Sequence, residues 1–97
     1  MAVKTNNIYG RILITNKTIE HFISHVGMDC YGIAAIKDVE VRSMGDRIFI
    51  DVAVVVKYGV SIIAVVEALK ESLKYKVERF TGMIVNEINV SVIGVKR

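Results

Sequence analysis

From Ser61 to Gly82 the chain reads SIIAVVEALKESLKYKVERFTG, and its apolar residues return every three or four positions. Ile62, Val66, Leu69, Leu73, Val77 and Phe80 make one seam. Glu67, Lys70, Glu71, Lys74 and Glu78 stand on the other side with mixed signs, where each helical pair contributes about 0.2–0.5 kcal/mol. The pattern predicts a helix of about 20 residues, ~30 Å long, capped by Ser61 and stopped by Gly82. A chain of 97 residues has room for one domain and one core, so the rest of the sequence must supply an apolar surface for this seam.

Alternating strands supply it. Arg47 to Tyr58 sends Ile48, Ile50, Val52, Val54 and Val56 to one side and Phe49, Asp51, Ala53, Val55 and Lys57 to the other. Around Ile36 to Ser43, Val39 and Val41 oppose Asp38, Glu40 and Arg42, and the turn SMGD (Ser43 to Asp46), built on Gly45, joins these two strands as a hairpin. After Gly82 the closing strand, Ile84 to Val95, points Ile88, Val90 and Val92 toward the helix and Glu87, Asn89, Ser91, Ile93 and Val95 away from it.

The first third of the chain predicts a strand over Ile8 to Ile14, with Ile8, Ile12 and Ile14 on one face. Thr15 or Asn16 then caps a helix over Lys17 to Tyr31, whose seam is Ile19, Phe22, Ile23, Val26 and Cys30, with Gly32 as a left-handed stop. The order is β-α-β-β-α-β. The expected fold is an α/β (α+β) two-layer sandwich, a four-stranded sheet with two helices on one face and a ferredoxin-like strand order. One domain spans residues 1–97.

Composition narrows the function. The chain is 53% hydrophobic and 24% charged, against a usual ~45–50% apolar, an excess that leaves apolar surface for a partner. The net charge of +3 is scattered and forms no basic stripe of the kind a dedicated DNA binder carries. The single cysteine, Cys30, allows no internal disulfide and suits a reducing cytoplasm. Met1 to Asn7 is not a signal peptide, and the longest apolar runs fall far below the ~18 residues of a spanning helix, so no direct membrane insertion is expected.

Candidate chemistry is thin. His21, His25 and Asp29 follow one another at i, i+4 and i+8, but HFISH lacks the glutamate of H-E-x-x-H and no other cluster closes a shell, so a solvated helix edge is expected in place of a metal site. Cys30 reads as a packing residue. YGVS, at a strand-to-helix junction, has neither the lysine of a P-loop nor the glycines of a dinucleotide fold. Phe49 alone on the open face suits base stacking, and it lies beside Asp51, so strong nucleic-acid binding is not expected, although a small nucleic-acid-binding module using that face is the alternative function. No catalytic residue, cofactor or metal is expected. What remains is the face itself, where Phe49, Val55, Ile93 and Val95 make an apolar set away from both helices, a candidate association face for a homo-oligomer.

Three blocks resemble the alkaline shock protein, or envelope stress response, family of Gram-positive bacteria. GRILIT (Gly10 to Thr15) resembles its opening strand, and KYGVSIIAVVEALKESLKYKVERFTG (Lys57 to Gly82) its tyrosine-glycine turn, long helix and threonine-glycine stop. VNEINVSVIGV (Val85 to Val95) resembles its closing strand, with the Asn-Val-x-Val core at Asn89 to Val92. The first helix departs from the family, with HVGMDCYGI in place of an alanine- and glutamate-rich segment. The resemblance implies a cytoplasmic, non-enzymatic protein of the envelope stress response that self-associates and joins a membrane-anchored protein at the membrane periphery.

Overall fold

The computed structural model describes the backbone of residues 2–7 and 10–97, and side chains from Thr15 onward. Two strands form an antiparallel pair, β1 (Ala2–Asn7) and β2 (Gly10–Thr15), followed by α1 (Asn16–Gly27), β3 (Ile33–Met44), β4 (Arg47–Lys57), α2 (Ile62–Thr81) and β5 (Ile84–Lys96). The main sheet has three strands in the order β3-β4-β5. The fold is α+β, with two helices and a three-stranded sheet.

The first strand therefore does not join the main sheet, contrary to the four-stranded, ferredoxin-like arrangement expected from the sequence. That arrangement needs a free slot between the third strand and the last. Here β5 pairs directly with β4 in parallel, and β3 pairs with it antiparallel on the other side, so both sides of β4 are taken. The segment from Gly10 finds its partner in Ala2–Asn7 instead, from Ala2 opposite Thr15 to Asn7 opposite Gly10. Ile8 lies outside the described residues, and so do the side chains of Ile12 and Ile14, so the face these three were expected to share is not among the described features.

One cluster holds the two layers together. Ile48, Ile50, Val52, Val54 and Val56 of β4 are buried with Val65, Leu69, Leu73 and Val77 of α2 and Ile19 and Ile23 of α1. The alternation of β4 is followed along its whole length. The seam of α2 is narrower than its sequence suggests: it steps by four through Val65, Leu69, Leu73, Val77 and Thr81, leaving Ile62 and Phe80 exposed. The hydroxyl of Thr81 makes this possible, donating to the Val77 carbonyl at 2.8 Å and accepting from the Met83 N–H at 3.0 Å, so that no buried polar atom is left unpaired there. Phe80 stacks on Phe22 of α1 with ring centroids 4.2 Å apart.

Caps fall where the side-chain chemistry puts them. Thr15 accepts from the Thr18 N–H at 3.2 Å and Ser61 from the Ala64 N–H at 3.3 Å. Gly82, at φ 74°, ends α2. The β3–β4 hairpin turns through Gly45 at φ 62°, the first central position at which a II′ turn needs positive φ.

α1 is shorter than expected, ending at Gly27 and not at Tyr31. Gly27 is buried against β3, and a Cβ there would lie 2.9 Å from Ile36 Cδ1. From that close approach the chain descends through successive tight turns (Asp29 N–H to Val26 O, Cys30 N–H to Gly27 O, Ile33 N–H to Cys30 O) to Gly32 at φ 82°. Cys30 consequently sits beyond the helix, half-buried against the core.

Each helix also reaches a sheet edge. Glu20 of α1 accepts the Val41 N–H of β3 at 3.1 Å, and Glu78 of α2 accepts the Val85 N–H of β5 at 2.9 Å.

Leu69→Ala or Leu73→Ala should lower stability by about 2–5 kcal/mol, since each side chain fills the centre of a fully packed cluster. Urea unfolding of either variant with a loss below about 1 kcal/mol would show the cluster to be misplaced. Gly32→Ala and Gly45→Ala form a controlled pair. Both force a positive φ, but a Cβ at Gly32 would meet Val65 Cγ2 at 2.4 Å whereas one at Gly45 meets nothing within 4 Å. Gly45→Ala should therefore cost only the conformational strain, about 1 kcal/mol, and Gly32→Ala measurably more in the same urea titration.

Candidate functional site: the open face of the sheet

Both helices lie on the side of Ile48, Ile50, Val52, Val54 and Val56, which leaves the opposite side of the sheet with no helix over it. Register fixes what this open face displays. Across β3, β4 and β5 its rows are Arg42, Phe49 and Glu87; then Glu40, Asp51 and Asn89; then Asp38, Ala53 and Ser91. Above them come Ala35, Val55 and Gly94, and last Lys57 and Lys96.

The lower rows form a polar network. Asp51 accepts from Arg42 at 3.1 Å and from the Asn89 amide at 2.9 Å, and the same amide donates to Glu87 at 2.7 Å. Arg42 also lies over the Phe49 ring, 5.9 Å from its centroid. Above this network the small Ala53 and Ser91 leave a hollow of about 190 Å³ rimmed by Asp38, Glu40 and Asp51. At the upper end Lys57, Lys96, Arg97, Tyr58 and Ala34 surround a second, wider depression, with Arg97 over the Tyr58 ring at 4.7 Å. The face thus runs from acidic to basic, with small apolar residues between.

The four residues of the expected apolar set do not stay together. Phe49 and Val55 lie on the open face, half-buried. Ile93 is an extra residue in β5: Val92 pairs with Val54 and Gly94 with Val55, so Ile93 has no partner in the ladder and is 59% exposed. The bulge inverts the alternation that follows. Val95 stands opposite the buried Val56 and so belongs to the helix side of the sheet, not to the open face. A second irregularity, at Asn86, sets Glu87 beside Phe49. Alternation in the sequence carries no mark of either bulge. The basic row escapes sequence reading for a related reason, since Lys57 is distant in sequence from Lys96 and Arg97 and only parallel pairing brings them together.

The remaining candidates are dispersed. His21, His25 and Asp29 are exposed, and among the described residues no three metal-ligating side chains are grouped. Ser61 of YGVS spends its hydroxyl on the α2 cap, and Cys30 Sγ faces the Val26 carbonyl at 3.9 Å. A groove of about 400 Å³ between α2 and β5 is rimmed by Glu67, Lys70, Glu71 and Lys74 over Val85 and Ile88, acids and bases in alternation with no convergence on one point.

A two-layer α+β module whose distinctive residues are spread over a sheet face, and not gathered in a cavity, is the class that this geometry defines. The chain belongs to the ASP23 (alkaline shock protein) family, of cell envelope-related function, whose model matches residues 4–97. It is similar to the uncharacterized protein YloU of Bacillus subtilis (strain 168), with 31% identity over 116 residues, covering 99% of this chain and 97% of YloU. YqhY of the same organism is 37% identical over 60 residues, covering 62% of this chain and 44% of YqhY. Among solved structures, a manganese form of the MamM CTD superposes with a TM-score of 0.67 at 16% identity, over 80% of this chain and 96% of that one. Another MamM CTD variant gives 0.69 at 14% identity, over 84% and 95%. At these identities the likeness is one of fold.

Asp51→Asn tests how much the polar network contributes. The Arg42 and Asp51 side chains are 60% and 37% exposed, so solvent screens the pair, and the variant should lose less than about 1 kcal/mol in chemical denaturation. A loss above about 2 kcal/mol would mean that the network holds the sheet together.

Proposed function

We propose that this protein is a non-catalytic, cytoplasmic interaction protein of the cell-envelope stress response, acting as a single domain that self-associates through the open face of its sheet. The observation that carries this reading is the uncovered face itself. A three-stranded sheet packed on one side only leaves Phe49, Ala53 and Val55 among charges, with Ile93 projecting from the adjoining edge strand, and apolar surface of this kind is commonly covered by a partner. The envelope-related family of the chain supports the setting. Among the described residues no helix is long and apolar enough to cross a membrane; the second partner in this reading is a membrane-anchored protein, in keeping with the envelope-related family.

The alternative, a nucleic-acid-binding module, is disfavoured by electrostatics. Asp38, Glu40, Asp51 and Glu87 crowd the part of the face around the Phe49 ring, and phosphates are repelled there. A gel-shift series with single-stranded RNA at rising salt separates the two readings: tight, steeply salt-dependent binding would favour the module.

The double substitution of Val55 and Ile93 by lysine should lower the oligomeric state while leaving the fold intact. Burying two unpaired charges in a contact costs several kcal/mol, and neither side chain belongs to the buried cluster. Sedimentation velocity and circular dichroism on the variant decide it. An unchanged assembly would remove the face as the contact, and loss of secondary structure would place these residues in the core.

A further inference from the structure

The charge layout of the open face specifies how two copies would meet. Reading up β4, Asp51 on the rim of the hollow supplies the acid, the basic row begins at Lys57, and Ala53 and Val55 fall between them. Six residue steps along the strand separate acid from base, about 20 Å at ~3.3 Å per residue, and their midpoint falls between Ala53 and Val55. On the neighbouring strands the same two rows hold Asp38 and Ala35 on β3, and Ser91 and Gly94 on β5. Small residues at the centre of β4 and β5 allow a second backbone to approach, and on β4 Asp51 and Lys57 stand at equal distances on either side.

Resting on the reading that this face self-associates, we infer that two copies pack face to face about a two-fold axis running across the strands at Ala53 and Val55. Such an axis inverts the strand direction and keeps each strand over its own counterpart, laying Lys57 of each copy over Asp51 of the other, with Glu40 on the adjoining strand, and Lys96 over Asn89 near Glu87. Each contact then occurs twice, as an isologous interface requires. The other two-fold arrangement, with its axis along the strands, superposes acid on acid and base on base, and like charges facing one another suppress it. A three-stranded face is small, roughly 14 Å wide at ~4.8 Å per strand, so complementary charge has a correspondingly large part in choosing the register, and the contact weakens with salt.

Charge reversal provides the test. One variant carries Asp38→Lys and Glu40→Lys, and a second carries Lys57→Glu and Lys96→Glu; all four positions are exposed. Sedimentation equilibrium at low salt should show the wild type associating and each variant alone weakened at least tenfold. An equimolar mixture should re-form dimers, because both charge pairs of the mixed dimer are again opposite in sign. Circular dichroism verifies the fold, and Lys57→Gln with Lys96→Gln gives a milder pair, expected to weaken association and flatten its salt dependence. A wild type that remains monomeric up to high concentration overturns self-association altogether. A wild type that associates while the variants associate equally well, or while their mixture stays apart, overturns the axis and leaves self-association through another contact standing.

Discussion

Leu69, Leu73 and Val77 of α2 share one buried cluster with the even-numbered residues of β4, and the remaining architecture depends on that contact. Full burial of each such side chain is worth about 1.5–3 kcal/mol, and packing of this face, more than intrinsic propensity, stabilises the 20-residue helix. The same contact dictates topology. Parallel strands cannot be joined by a tight turn, so β5 reaches its place beside β4 only because α2 carries the chain back along the sheet. Once β5 is there, β4 is flanked on both sides, the N-terminal pair β1–β2 is left as a sheet of its own, and one face of the three-stranded sheet has no helix to cover it.

Much of this was legible in the residues. The strict alternation from Ile48 to Val56 fixed which side of β4 is buried, Ser61 and Gly82 marked the ends of α2, and Gly45 marked the hairpin. These are local signals, each with a local cause. What escaped depends on partners distant in sequence. The end of α1 is set by the approach of Gly27 to Ile36 and by the position of Gly32 against Val65, neither visible from helical spacing. The strand Ala2–Asn7 is polar enough to read as a tail and is ordered by pairing with Gly10–Thr15. The bulge at Ile93 leaves the alternating pattern intact on paper while moving Val95 to the other side of the sheet. Phe49 and Val55 were thus correctly placed by period, and Val95 was not.

The open face gains meaning from its order more than from its composition. Its acids, small residues and bases occupy successive rows only because β3, β4 and β5 are held in one register. A net charge of +3 says nothing of this, since on the face the acids gather around Asp51 while Lys57, Lys96 and Arg97 gather at the upper end. Such separation weakens nonspecific attraction to polyanions and favours surfaces with the reverse arrangement, of which a second copy turned end for end is one.

The two glutamates that reach from helix to sheet bear on how large any assembly can become. Glu20 occupies an N–H on the outer edge of β3, and Glu78 occupies one on the outer edge of β5. An incoming strand seeking to extend the sheet would have to expel a carboxylate at either side before its own ladder could form, and exposed edges are where runaway strand addition starts. Growth by sheet extension is thereby obstructed in both directions. A molecule guarded at its edges and open on one face leaves the face, and not the edges, as the place for contact.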